Sequence, residues 1–213
     1  SGFTLSGRTS AYFASSAFVA FTASTPAGDI AIRLALPGRH NVANALAAIA
    51  AGLACDLPLT AIRDGLEALR PVAGRLCARA GTAGCTVIDD CYNANPGSVR
   101  AAIDLLADCA GRRTLLLGAM RELGADSEQM HREIGAYARQ AGIDRFWGVG
   151  AELAVAVDAF GAGGRHFEER KAALGALAGE FGQDDTVLVK GSRSAGMEQV
   201  LHGLLADAQA GEC

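Results

Sequence analysis

Three short stretches of this sequence bring acids, amides and bases together on glycine-bearing turns. The first, Asp89-Asp90-Cys91-Tyr92-Asn93-Ala94-Asn95-Pro96-Gly97, sets two adjacent carboxylates ahead of two amides. Adjacent carboxylates at a strand end suit ribose hydroxyls or a metal ion. The plainer alternative is a helix N-terminus decorated with Asp and Asn, which the positive end of the helix dipole favours. The second stretch, Gly118 to Gly124, places Arg121 beside Glu122, with His131 just inside the helix that follows. If Arg121 and Glu122 pair with each other at the surface, the pair contributes under about 1 kcal/mol, so this stretch says little alone. The third, Lys190-Gly191-Ser192-Arg193-Ser194, offers two cations beside an expected helix start. Free N–H groups at such a start would complete an anion site for a carboxylate or a phosphate. The alternative is a solvated basic turn with Ser194 as the helix cap.

Earlier in the chain, Gly38-Arg39-His40-Asn41-Val42-Ala43-Asn44 opens a helix. Asn41 and Asn44 are spaced to point the same way. Their amides both donate and accept, which suits an adenine edge; on the residues alone, helix capping by Asn41 is preferred. The phosphate-loop pattern GxxxxGK[ST] is absent, and so is GxGxxG. Cysteines stand at 55, 77, 85, 91, 109 and 213, without a CxxC pair or an accompanying histidine cluster, so no zinc site is expected. No signal peptide is visible, and reduced thiols in a cytoplasmic protein are expected.

The elements that must position these residues follow from periodicity. Residues 1–36 read as β structure. Ile30, Ile32, Leu34 and Leu36 alternate with other residues, the mark of a half-buried strand. Helices are expected over 42–55 and 60–69, with Ile62, Leu66 and Leu69 on one face of the second. Arg70-Pro71 stops that helix, and 72–75 reads as a hinge because no periodic pattern crosses it. Beyond it, strands are expected at 85–89, 113–118, 145–149 and 186–190, with a weaker one at 165–167. Helices are expected at 97–108, 127–141, 151–159, 169–181 and 195–208. Strand–helix alternation with strands apolar on both faces predicts an α/β fold with a Rossmann-like, mostly parallel sheet, preceded by strand and helix structure. In such sheets ligands bind beyond the carboxyl ends of the strands, where all three turns fall.

Composition narrows the class. The chain has 213 residues, half hydrophobic and a fifth charged, as in globular domains. Its formal net charge of -4 leaves no basic footprint for nucleic acid. The longest apolar stretch, 42–55, is too short to span a bilayer, so no membrane insertion is expected. The chain starts at Ser1 in mid-pattern, which reads as a piece of a longer protein.

Taken in order, LPGRHNVANALAA (36–48), GRL (74–76), DDCYNANPGSVRAAI (89–103), LGAMRELG (117–124) with His131, and KGSRSAGMEQV (190–200) resemble the Mur ligase family across most of the chain. The resemblance implies a three-domain, ATP- and Mg²⁺-dependent amide ligase. Residues 1–74 would end its ATP-binding central domain, and 75–213 would form its Rossmann-like C-terminal domain. The implied partners are UDP-MurNAc-tripeptide and D-alanyl-D-alanine, joined through an acyl phosphate during peptidoglycan precursor synthesis by a cytoplasmic monomer. Carried over by position, His40, Asn41 and Asn44 lie on the adenine side, and Arg75 reaches the ATP phosphates. Asp90 holds the ribose, with Tyr92, Asn93 and Asn95 lining the same loop. Lys190, Ser192 and Arg193 are contacts to the peptide or dipeptide, and Arg121, Glu122 and His131 match family residues grouped with them. No catalytic residue and no metal ligand is assigned within this chain; the phosphate loop and metal ligands are expected upstream, and the isolated chain is expected to be inactive. Two other readings compete: a folylpolyglutamate synthase-type ligase, against which the YNANP and KGSR turns speak, and an α/β binding module without catalysis.

Overall fold

Period-two alternation decides the first part of the chain. A computed structural model describes residues 4–5, 10–12 and 18–206; Phe3, expected in a strand, lies outside them. Strands β1 (Thr4–Leu5) and β2 (Ser10–Tyr12) both pair antiparallel with β3 (Phe18–Thr25), which also pairs with β4 (Gly28–Leu34). The register sets Val19 opposite Leu34, Phe21 opposite Ile32 and Ala23 opposite Ile30, so all six face one side. Helices α1 (Arg39–Ala54) and α2 (Leu59–Glu67) cover that side with Val42, Ala45, Ile49, Ile62 and Leu66. The first helix starts earlier than its apolar run, because Gly38 at φ 96° turns the chain straight out of Pro37.

The chain divides into two compact units, Ser1–Pro71 and Val72–Cys213. The second opens with β5 (Cys77–Ala80) and continues through β6 (Thr86–Asp90), α3 (Pro96–Ala107), β7 (Arg112–Gly118), α4 (Ser127–Gln140), β8 (Arg145–Val149), α5 (Ala154–Phe160), β9 (Gly164–Phe167), α6 (Arg170–Gly175), β10 (Asp185–Lys190) and α7 (Glu198–His202). The sheet order is β5-β6-β10-β7-β8-β9, parallel throughout except for β5. Every residue of β10 is buried, as expected of a central strand covered on both faces. On one face Val87, Leu116, Trp147 and Val189 pack against Ala173, Leu177, Val200 and Leu201 from the α6–α7 region. On the other, α3 touches β7 and β10 and packs against α4, which packs on α5.

All five expected strands of this unit are present. Strand β5 was not anticipated, because its inward positions are Cys77 and Arg79 and an arginine breaks the apolar alternation. Two helices are shorter than their apolar patterns. α6 stops at Gly175, although Leu177 and Phe181 still reach the core from irregular chain. Residues 193–195 form a separate 3₁₀ turn, and Gly196 in the left-handed region (φ 60°) parts it from α7. The expectation of reduced thiols holds at Cys55, Cys85, Cys91 and Cys109 and fails at Cys77, which is disulfide-bonded; Cys213 lies outside the described residues.

Candidate functional site

Strands β6, β10 and β7 are parallel neighbours, so the turns that leave them share one edge of the sheet. Lys190 stands in register with Asp90 and Leu117. Its ammonium donates to the Asp90 carboxylate at 2.5 Å and to the Asn93 carbonyl at 2.9 Å. Lys190 is 2 % exposed, which makes this a buried ion pair rather than a solvated basic turn. Burial pushes the Asp90 carboxyl up to about 6; Lys190 and the Leu76 N–H pull it down, and Asp89 adds to the rise. The Asp90 side chain keeps an exposed edge of 12 %.

The adjacent carboxylate serves other partners. Asp89 accepts from the Gly74 and Cys91 N–H groups at 3.1 and 3.2 Å and pairs with buried Arg79 at 3.7 Å. The two acids alternate across the strand, so each meets a different neighbour. Past them, Tyr92 is exposed and lies under the Arg75 guanidinium, 4.4 Å from carbon to ring centroid. The Asn93 side chain accepts from the Ala94 N–H. Asn95 caps α3 in a reciprocal box with Ser98, and Pro96 follows at the first helical position.

Glycine ties the other two turns together. A Cβ on either Gly118 or Gly191 would strike Met197 and crowd Ala195, so the ends of β7 and β10 close on one methionine. The Ser192 N–H donates to the Ala119 carbonyl at 3.1 Å, and Ser192 is buried. His131 has no exposed surface; its Nε2 accepts from the Met120 N–H at 3.0 Å, and its Nδ1 lies 2.7 Å from the Ser127 carbonyl. These partners assign the Nδ1–H tautomer, and the ring pins the turn after β7. Arg193 is exposed and pairs with Glu198 at 2.8 Å. The helix-start anion site expected here is not built: the 193–195 turn and the five-residue α7 supply no long helix whose dipole points at Lys190.

Arg121 does not pair with Glu122, which takes a left-handed backbone (φ 62°) at the surface, but with Glu152 of the turn after β8, at 2.6 Å. Beside this pair opens a cavity of about 570 Å³. Its lining includes Arg121, Arg170 and Lys171, interleaved with Glu152, Glu168 and Glu169, together with Gly150 and Ala195. Of these only Arg121 stood out in the sequence. Ala195 belongs to the turn after β10; the others come from the turns after β8 and β9 and the start of α6, where a signal was available only by extending the strand-end rule to every parallel strand.

In the first unit, Asn41 does not cap α1, since Gly38 holds that position. Its side chain donates to the Pro37 carbonyl at 2.7 Å and accepts from Asn44 at 3.2 Å. The two amides thus share one face, and Asn44 is exposed. His40 is half-buried at the start of the helix.

A glycine-punctuated turn after each central parallel strand, with an antiparallel edge strand before the first, is a pattern shared with known proteins. The family model described as Mur ligase, glutamate ligase domain, matches residues 74–193, and the chain belongs to the Mur ligase family. The UDP-N-acetylmuramoyl-tripeptide--D-alanyl-D-alanine ligase of Escherichia coli K12 is 44% identical over 186 residues, covering 86% of this chain and 41% of that protein. The enzyme of the same name from Haemophilus influenzae is 39% identical over 190 residues. The crystal structure of MurF from Acinetobacter baumannii superposes with a TM-score of 0.81 at 33% identity, covering 87% of this chain and 42% of that one. A Thermotoga maritima MurF ligase solved with ADP shares the fold, with a TM-score of 0.75 at 21% identity. The chain spans about two fifths of the length of the curated relatives it matches.

Proposed function

We propose that this chain is the C-terminal part of an ATP-dependent ligase that joins D-alanyl-D-alanine to UDP-MurNAc-tripeptide in peptidoglycan precursor synthesis, a cytoplasmic activity. Residues 1–74 would complete the ATP-binding domain, and 75–213 would form the ligase domain. One observation carries the reading. Three turns meet at a single sheet edge, beside a cavity whose walls bear both signs of charge. A free dipeptide is a zwitterion, and such walls match its ammonium and carboxylate ends. The names and extents of the relatives support the same assignment.

ATP converts a carboxylate, a poor electrophile at neutral pH, into an acyl phosphate that an amine can attack. The residues present fit parts of that nucleotide. Within the second unit, the open edge of Asp90 suits a ribose hydroxyl, and exposed Arg75 offers a planar, always-charged fork to phosphates. Among the described residues no group of three or more His, Cys, Asp or Glu gathers as a metal site. The dipeptide would rest in this cavity, with Arg121 and Lys171 available to its carboxylate, Glu168 and Glu169 available to its ammonium, and Gly150 leaving room for close approach.

The test is a ligase assay on the product of the whole reading frame containing this chain, with ATP, Mg²⁺, UDP-MurNAc-tripeptide and D-alanyl-D-alanine. The expected result is a pentapeptide product by mass spectrometry and phosphate release that depends on the dipeptide. Phosphate release that ignores the dipeptide and answers to another amino compound would overturn the substrate assignment. The 213-residue chain alone, without a phosphate-loop sequence, is expected to form no product under the same conditions.

A further inference from the structure

Arg75 sits on an unusual support. Its two neighbours, Gly74 and Leu76, both have left-handed backbones, with φ of 76° and 54°. For leucine this conformation is strained, and it persists only where surroundings impose it. Here they do. The Arg75 N–H closes a tight turn on the Val72 carbonyl at 2.9 Å. The Gly74 N–H donates to Asp89 at 3.1 Å, and the Gly74 carbonyl accepts from the Tyr92 N–H at 3.0 Å. The Leu76 N–H donates to Asp90. A side chain at Gly74 would press on the Tyr92 backbone. Gly74 is therefore held to the end of β6 and its turn through both its N–H and its carbonyl, and Leu76 through its N–H. What remains to be fixed is the long, flexible arginine side chain, and the Tyr92 ring lies beneath its guanidinium.

We propose that Tyr92 is a positioning residue for Arg75: the turn fixes the backbone, and the exposed ring holds the guanidinium face-on, so that the cation is presented in one direction before any anion arrives. An exposed tyrosine is otherwise unexplained, since it fills no core. An arginine pre-set in this way loses less rotamer freedom when it meets a phosphate. The mount itself is independent of the ligase assignment; its use on ATP phosphates rests on that assignment.

The mount is tested in the 213-residue chain without ligand. A guanidinium stacked on a ring shifts the Arg75 Nε–H proton upfield by ring current. Arg33, Arg100 and Arg165 also lie over rings, so the Arg75 resonance is the displaced one expected to move to the random-coil position in Tyr92→Leu alone and to stay displaced in Tyr92→Phe. A leucine of similar bulk separates the ring's electrostatic hold from mere packing. An Arg75 proton at the random-coil position in wild type overturns the proposal with no variant needed. Trypsin gives a second measure: cleavage after Arg75 should be about two- to five-fold faster in Tyr92→Leu, the factor expected for an exposed cation–π contact. Cleavage after Arg132, on α4, should be unchanged. Equal rates after Arg75 in wild type and Tyr92→Leu overturn the proposal. The ligase reaction tests the use separately. Tyr92→Leu should raise the KM for ATP by about two- to five-fold with little change in kcat, and Tyr92→Phe should restore it. A displaced resonance with an unchanged KM keeps the mount and overturns the phosphate role of Arg75.

Discussion

At the carboxyl ends of β6 and β10, charge is buried and already matched: Lys190 holds Asp90 and the Asn93 carbonyl, while Asp89 holds Arg79 and the turn before β5. Over β7, β8 and β9 the charges are exposed and loosely paired around open space. Both regions are rich in ionisable side chains, yet the first leaves a diffusible molecule the edge of Asp90 and the exposed Arg75, while the second surrounds open space with charges of both signs. A residue type that can do chemistry is therefore a poor guide until its partners are known. In this molecule the conspicuous motifs mostly build the edge, and the inconspicuous turns beside it leave room for a ligand.

That contrast predicts opposite responses to substitution. The largest effect should come from Lys190→Met, which strands Asp90 in a buried site and should cost about 3–5 kcal/mol in chemical denaturation. Adding Asp90→Asn should recover part of the loss, and a pair that fails to couple in this cycle would break the contrast at its strongest point. The next effect is pH-dependent. With Asp90 raised to about 6 from an ordinary 3.8, the folded protein binds more protons than the unfolded chain between those values. Stability should therefore fall as pH rises from about 4 to 6, and Asp90→Asn should flatten the slope. Asp185, which its hydrogen bond to Arg112 holds below the usual carboxylate range, titrates beneath that window and does not mask it. Gly118→Ala should cost about 1–3 kcal/mol by overpacking against Met197, with Met197→Ala relieving part of it. Arg121→Ala should change stability by less than about 1 kcal/mol, because its pair with Glu152 is exposed. The same variant should raise the KM for the dipeptide in the ligase assay; a stability loss with an unchanged KM would place Arg121 with the structural edge instead.

The strands were legible because burial imposes a period that only β5, with Arg79 facing inward, disguised. The edge location of the three turns was legible for the same reason, since parallel strands send their following turns to one side. The partners were not. Asp90 and Lys190 are far apart in the chain and meet only because β10 inserts between β6 and β7, an order that periodicity does not encode. The end of α6 departs from its apolar pattern because Leu177 and Phe181 reach the core without a helix to carry them, and the start of α7 departs because left-handed Gly196 interrupts the chain before it. The acidic and basic lining of the cavity lay in turns with no recognisable motif.

Met197 resting on both Gly118 and Gly191 couples the turns after β7 and β10 in heredity as well as in space. Neither glycine can acquire a side chain unless the methionine shrinks, and a smaller residue there would leave a void between two glycines. Variation in this lineage should thus run through the flanking positions, Arg121 and Glu122 on one turn and Arg193 and Ser194 on the other. The contact between the turns would stay constant, so that substrate preference can drift without the edge having to be rebuilt.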